Sequence, residues 1–219
     1  MIRPLLTALA AGAVLALAAP ATNAQPLPAA APAPPPPLSA QDQALVNRAA
    51  AYLEGLAEAR ARFTQIDPRG RAATGEVYLK RPGKARFDYD KPSYQLIVSD
   101  GSQVLVQDRR LNTFENYPLR STALALFLAR HVRLDQGVAI ARVDRRAGGF
   151  SITAQDRRRE AQGTLVLDFA DAPMALVGWT VIDPQGGRTR LRLENLRAVS
   201  GLAPALFVLR DTRLPSPAR

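Results

Sequence analysis

The chain has 219 residues, 47% of them hydrophobic, a formal net charge of +10 and no cysteine. Without thiols it has no disulfide framework, no thiolate metal ligand and no cysteine nucleophile, and it lacks the residue on which a bacterial lipoprotein carries its own lipid. Lysine occurs only at Lys80, Lys84 and Lys91, so the basicity is nearly all arginine.

Arg3 precedes an apolar stretch over 5–19 and the small-residue sequence Ala21-Thr22-Asn23-Ala24. That order of charge, apolar run and small residues is a secretory signal peptide, so residues 1–24 are expected to direct export to the periplasm, with cleavage after Ala24. The run is Ala-rich and shorter than the roughly 20 apolar residues of a membrane span. Export removes nucleic acid from the partners that so basic a chain would otherwise suggest. It leaves two readings for runs such as Arg157-Arg158-Arg159: a solvated arginine-rich surface, or a field that favours anionic lipid and acidic partner surfaces. Residues 25–38, QPLPAAAPAPPPPL, form a Pro/Ala-rich linker or disordered lead. The remainder, 39–219, suits a single domain with its own core.

The first element is expected to be a helix over 39–59. Ser39 and Asp42 resemble a capping box, and Leu45, Val46, Ala49, Tyr52, Leu53 and Leu56 recur at helical spacing. The period then changes to two. Strands are expected over 62–66, 75–80, 84–90, 94–99, 103–107 and 113–117, divided by Asp67-Pro68-Arg69-Gly70, Arg81-Pro82-Gly83, Lys91-Pro92 and Asp100-Gly101. A short helix over 121–129 is apolar almost all round through Leu124, Leu126, Phe127 and Leu128, so it must be buried on most sides or plug something. Further strands follow over 139–144, 150–154, 163–169, 176–182, 188–193 and 205–209. The pattern predicts a large, strongly curved antiparallel sheet with a few helices against its concave face.

Catalytic constellations are sparse. His131 is the single histidine, so multi-imidazole zinc sites are excluded, and no nucleophile-elbow sequence accompanies it for a triad. Asp88 and Asp90 point to the same side of their strand, but Lys84, Arg86 and Lys91 beside them mark solvated ion pairs rather than the carboxylate pair of a hydrolase. There is no phosphate-binding glycine loop and no dinucleotide fingerprint. Neither an enzyme nor a cofactor is expected.

The most distinctive stretch runs from Leu79-Lys80-Arg81-Pro82-Gly83-Lys84-Ala85-Arg86-Phe87-Asp88-Tyr89 through Pro92 to Leu96-Ile97-Val98-Ser99-Asp100-Gly101. Phe63-Thr64-Gln65 and Gly75 precede it, and Trp179-Thr180-Val181-Ile182-Asp183, Gly186 and Thr189 follow it. Together these residues resemble the outer-membrane lipoprotein carrier (LolA-type) family of Gram-negative periplasms. The resemblance implies an α+β fold: an unclosed, strongly curved antiparallel β-barrel of about 10–11 strands, with a few helices as a lid over an apolar cavity for lipid chains. It also implies that Arg81, before Pro82, latches the lid by hydrogen bonds in the closed state. An inner-membrane ABC-type lipoprotein-releasing complex would load the acyl chains of outer-membrane lipoproteins onto a monomeric carrier, and an outer-membrane receptor would accept them. That receptor is itself a lipoprotein, so a chain without cysteine fits the soluble carrier. The chain departs from the family at its end, where Phe207-Val208-Leu209-Arg210-Asp211 stands in place of a Phe-x-Phe-x-x-Pro pattern.

Val77 with Leu79, Phe87 with Tyr89, and Leu96 with Val98 each share one face of their strand, and these faces are expected to line the cavity. The lid helix would present Leu124, Phe127 and Leu128. The same alternation serves an ordinary core equally well, and spacing alone does not choose between them. Trp179 reads as core rather than ligand contact. Two other functions fit parts of the pattern: a periplasmic sensor or scaffold that uses the same fold for another lipid or a partner domain, and a secreted hydrolase that depends on Asp88 or His131.

Overall fold

Alternation with a period of two governs the chain from residue 58 onward. In the computed structural model, which describes residues 37–128, 138–156 and 163–210, it yields eleven antiparallel strands in a single sheet. They are β1 (Glu58–Ile66), β2 (Ala72–Lys80), β3 (Lys84–Tyr89), β4 (Gln95–Asp100), β5 (Gln103–Asp108), β6 (Thr113–Pro118), β7 (Val138–Arg146), β8 (Gly149–Asp156), β9 (Thr164–Asp171), β10 (Met174–Ile182) and β11 (Arg188–Ala198). Their spatial order is β6-β5-β4-β3-β2-β1-β11-β10-β9-β8-β7. Each half is a meander, and the two halves join where β1 pairs with β11. The edge strands β6 and β7 do not pair with each other, so the barrel is unclosed. The chain between these edges carries a 3₁₀ turn (Leu119–Ser121) and a five-residue helix, α2 (Leu124–Leu128). The signal segment, most of the Pro/Ala lead, His131 and the arginine run at 157–159 lie outside the described residues.

Helix α1 (Ala40–Gly55) begins where the capping pattern places it. The Ser39 hydroxyl accepts from the Asp42 N–H at 3.1 Å and donates to the Asp42 carboxylate at 2.6 Å, satisfying a donor that the helix end would otherwise strand. The helix stops at Gly55, four residues before its expected end, because Glu58 and Ala59 are drawn into the ladder opposite Lys80 and Leu79. Leu38 already packs against the core, one residue ahead of the expected domain boundary. No helix among the described residues is long and apolar enough to cross a membrane.

Directly opposed residues in an antiparallel pair lie on the same face, so the register sorts the sheet into two surfaces. The inner face carries Ala61 and Phe63, Val77 and Leu79, Ala85, Phe87 and Tyr89, and continues through Leu191, Trp179, Leu167 and Ile152 on the other half. α1 covers it with Val46, Ala49 and Leu53, and α2 with Phe127 and Leu128, all in one buried cluster. Edge-to-face ring contacts run from Tyr89 to Phe63 at 5.0 Å, Phe63 to Phe87 at 5.9 Å and Phe87 to Trp179 at 6.1 Å, and Phe127 of α2 lies 5.4 Å from Trp179.

Two expectations are corrected by this register. Leu96 and Val98 oppose Asp88 and Arg86, not Phe87, and therefore face away from the helices; Ile97 and Ser99 take the inner positions. Their strand has apolar residues at three consecutive positions, Leu96-Ile97-Val98, so alternation within it does not reveal which face is inward. The second correction concerns 205–209, which form a 3₁₀ turn (Pro204–Phe207) rather than a strand. The turn packs against β3 and β4 on the outer face, where Arg86 donates to the Leu206 carbonyl at 3.3 Å. Phe207, Leu96 and Val98 are all buried there, outside the inner cluster. Lys80 and Glu58 fix the segment further by bonding the Leu202 carbonyl at 2.9 Å and its N–H at 2.8 Å.

The outer cluster can be tested by truncation. Phe207→Ala is expected to lower unfolding free energy by ~3–5 kcal/mol, read as the urea midpoint; a change below about 0.5 kcal/mol would mean that the strap adds nothing to the fold. On the inner face, burial pushes the Tyr89 phenol up to about 12, and its hydroxyl donates to the Gln65 side-chain oxygen at 2.7 Å. The folded state therefore holds this proton more tightly than the unfolded chain. Its contribution is intact below pH ~10 and is lost as pH rises toward ~12, amounting to roughly 2–3 kcal/mol. Stability measured by urea at pH 9 and at pH 11.5 should decline for the wild type and decline less for Tyr89→Phe; parallel declines would contradict the assignment.

Candidate functional site

The two distinctive turns of the sequence, Arg81-Pro82-Gly83 and Ser99-Asp100-Gly101, meet at one corner of the sheet because Lys84 of β3 opposes Asp100 of β4. Gly83 has φ +77, and a β-carbon on it would stand 2.7 Å from the Gly101 Cα, so this approach admits only glycine. The buried Ser99 hydroxyl donates to the Gly83 carbonyl at 2.6 Å. The Asp100 carboxylate closes its own turn by accepting from the N–H groups of Ser102 and Gln103, both at 2.8 Å. These contacts explain why the residue types Pro-Gly and Ser-Asp-Gly are required here.

Both helices are tied to this corner. The Arg81 guanidinium donates to the Leu53 carbonyl near the end of α1, and the Arg81 backbone N–H donates to the Ala57 carbonyl at 2.8 Å. The Gly83 N–H donates to the Leu128 carbonyl at the end of α2, also at 2.8 Å. The Leu53 carbonyl also accepts the capping N–H of Leu56 at 3.1 Å, so the β2–β3 turn adds a second donor at the end of α1 and one donor at the end of α2. Burial lowers the pKa of Arg81 from its ordinary value, while Glu54 acts in the opposite direction. The Arg81–Pro82 peptide bond is cis.

Arg81 and Pro82 thus sit where two helices and two turns converge, with the guanidinium bonded to α1. The Gly83 backbone bonds α2. Val77, Leu79, Phe87 and Tyr89 lie together on the inner face beneath the helices, with Phe127 and Leu128 buried against that face and Leu124 partly buried. A depression of ~450 Å³ opens beside the corner between Gly83, Gly101, Leu119 and Leu128. Sequence reasoning missed the Leu53 carbonyl and the Gly83–Gly101 approach. The paired glycines carried a signal for the second, since both close turns at the same end of adjacent strands.

The hold on α1 is distributed. At its start Asp42 accepts from Arg145 of β7 at 2.6 Å, and in its middle Arg48 pairs with Asp171 of β9 at 2.8 Å. Hydrogen bonds from Ser39 and Arg145 keep the Asp42 carboxyl below its usual range. α1 therefore reaches from the β7–β9 half of the sheet to the β2–β3 turn. α2 is much shorter and shows no side-chain ion pair among the described residues.

On the outer face, Asp88 and Asp90 are partnered separately. Burial would raise the Asp88 carboxyl, but hydrogen bonds from Arg86 and Arg109, each at 2.8 Å, outweigh it and hold the pKa low. Asp90 accepts from Arg62 at 2.5 Å and Thr74 at 2.7 Å and is likewise lowered. Both are thus stabilised as carboxylates, and neither has the raised pKa of a general acid. Among the described residues no group of three or more His, Asp or Glu is arranged to hold a metal ion.

A family profile described as "Outer membrane lipoprotein carrier protein LolA" matches residues 54–210. The outer-membrane lipoprotein carrier protein of Methylococcus capsulatus is 31% identical over 169 residues, covering 74% of this chain and 81% of that protein. The protein of the same name from Bordetella avium is 30% identical over 179 residues, covering 77% and 81%. Among solved structures, a LolA superfamily protein from Nitrosomonas europaea superposes over 75% of this chain and 97% of its own, with a TM-score of 0.44 at 10% identity. The profile spans the end of α1, the β2–β3 corner and every described strand, and on that match the chain belongs to the outer-membrane lipoprotein carrier family.

Proposed function

We propose that the chain is a periplasmic carrier that holds lipoprotein acyl chains against the inner face of its sheet and passes them from an inner-membrane ABC-type releasing complex to an outer-membrane receptor. The observation that carries this reading is the continuous apolar inner face, covered by two helices whose ends are tied to a single turn. Burying an acyl chain contributes roughly 0.8 kcal/mol per CH₂, so even part of one chain rivals the contacts of a five-residue helix. Phe127 and Leu128 occupy the inner face in the closed state. An acyl chain would take their place when α2 moves away from Trp179, with α1 remaining pinned through Asp42 and Arg48.

This exchange has a built-in reporter, since Trp179 is the single tryptophan and it contacts Phe127. Adding a fluorescent or plain long-chain acyl ligand should change Trp179 emission, and Phe127→Ala should abolish most of that change. The decisive assay is release of lipoproteins from spheroplasts and their recovery bound to the purified chain. No release and no bound acyl chains would refute the carrier reading. Binding without onward transfer would favour a sensor or scaffold.

The Arg81 bond to Leu53 braces the turn from which the Gly83 N–H holds α2, so in this reading it stabilises the closed state, and removing it shifts the balance toward the open one. A hydrogen bond to a charged group is worth ~1.5–3 kcal/mol. Arg81→Leu should therefore retain an acyl probe roughly 10-fold or more tightly and slow transfer to an acceptor correspondingly. Unchanged retention and transfer would remove Arg81 from the mechanism.

A further inference from the structure

The outer face of the β7–β11 half differs in kind from the outer face near β3. Near β3 the outward arginines face carboxylates: Arg60 with Glu76 at 2.6 Å, Arg62 with Asp90 at 2.5 Å and Arg86 with Asp88 at 2.8 Å. On β11, Arg188, Arg190 and Arg192 form no ion pair or side-chain hydrogen bond among the described residues. The register explains why. Across β10 they oppose Ile182, Thr180 and Gly178, and across β1 Arg190 and Arg192 oppose Ile66 and Thr64, so no carboxylate is their cross-strand partner; Glu194, two residues beyond Arg192 on the same face, opposes Arg62 and accepts from Thr64 at 3.4 Å.

These three arginines border a groove of ~570 Å³ whose floor includes Val166, Val177 and Thr180. Gly178 keeps the floor low, because a β-carbon there would stand 2.4 Å from the Leu191 carbonyl oxygen. Arg142 and Arg146 line the same groove, each already paired, with Asp144 at 2.7 Å and Asp168 at 3.3 Å. The surface is therefore a concave trough with a row of unneutralised guanidinium groups along one strand. Alternate residues of that strand are ~6.8 Å apart, and the side chains on one face of any extended peptide repeat at the same ~6.8 Å.

We propose that this trough binds an extended acidic polypeptide segment carrying Asp or Glu at every second position, each carboxylate meeting one of Arg188, Arg190 and Arg192. Guanidinium forks suit carboxylates bidentately. A linear row in a concave floor fits a single extended chain better than the flat, two-dimensional array of a membrane surface. The site lies on the face opposite the helices, so it stands or falls independently of acyl binding.

The test is fluorescence anisotropy of the purified full chain with two labelled peptides of identical composition. In one, glutamate and serine alternate through five pairs; in the other, a block of five glutamates precedes a block of five serines. The alternating peptide should bind about 10-fold more tightly than the block peptide, weaken with added salt, and lose about 10-fold or more in the triple variant R188Q/R190Q/R192Q. Ile66→Glu leaves every arginine in place but sets a carboxylate opposite Arg190, and it should weaken binding as well. Equal affinity for the two peptides, or binding unchanged in both variants, would overturn the proposal. So would arginine-dependent binding to phosphatidylglycerol vesicles without peptide binding, which would assign the trough to a membrane surface.

Discussion

Everything on the inner face depends on the turn between β2 and β3. A helix laid on a sheet is held mainly by buried side chains, and its orphan end carbonyls need donors. Here one turn adds a donor to each helix: the Arg81 guanidinium to the Leu53 carbonyl of α1, which also accepts from the Leu56 N–H at 3.1 Å, and the Gly83 N–H to the Leu128 carbonyl of α2. The turn is itself braced by Ser99 and pressed against Gly101. A change at this corner reaches both covering elements at once, whereas a change at Asp42 or Arg48 reaches only α1. In the carrier reading proposed above, that asymmetry makes the corner the point through which both helices would be released.

The sheet is also two-faced in an unusual proportion. Its inner face is a nearly unbroken apolar surface over both halves, while its outer face carries arginines and carboxylates with a buried apolar patch under the Pro204–Phe207 turn and an apolar groove floor between β9 and β11. Exposed ion pairs of the kind made by Arg60, Arg62 and Arg142 contribute little individually, about 0–1 kcal/mol each. Their value lies more in keeping the outer face from competing as a second apolar surface. Leu96 and Val98 are the exception, and the chain covers them with its own Pro204–Phe207 turn rather than leaving them to solvent.

Much of this is legible from residue order. Turn signals mark the β1–β2, β2–β3, β3–β4 and β4–β5 connections, the Ser39–Asp42 cap marks where α1 begins, and the Arg81 and Gly101 motifs point to the corner and to the family. What cannot be read arises where local pattern and tertiary register diverge. Ala59 and Ala61 face inward on β1, but alanine suits a helix tail as well as a strand, so helical spacing runs on past the true end of α1. Leu96-Ile97-Val98 is apolar at consecutive positions, so only pairing with β3 decides which side chains face the helices. Phe207 alternates with Leu209 as in a strand, yet Pro204 and the outer patch favour a 3₁₀ turn. The Arg81 acceptor is invisible for a different reason: a backbone carbonyl leaves no signature in a sequence.

The energetics of the inner face constrain how any carrier built this way must work. Uncovering the sheet by moving α2 exposes Phe127 and Leu128, and full burial of such side chains is worth ~1.5–3 kcal/mol each. With ~0.8 kcal/mol for each buried CH₂, roughly four to eight methylenes offset that loss. A long acyl chain exceeds this and a short one does not, so the proposed exchange would discriminate by chain length without any polar recognition. The same arithmetic limits how firmly cargo is held, because every contact with the helices that is restored on closure favours release. Tight closure and tight holding draw on one surface, and the strength of the Arg81–Gly83 corner sets the balance between them.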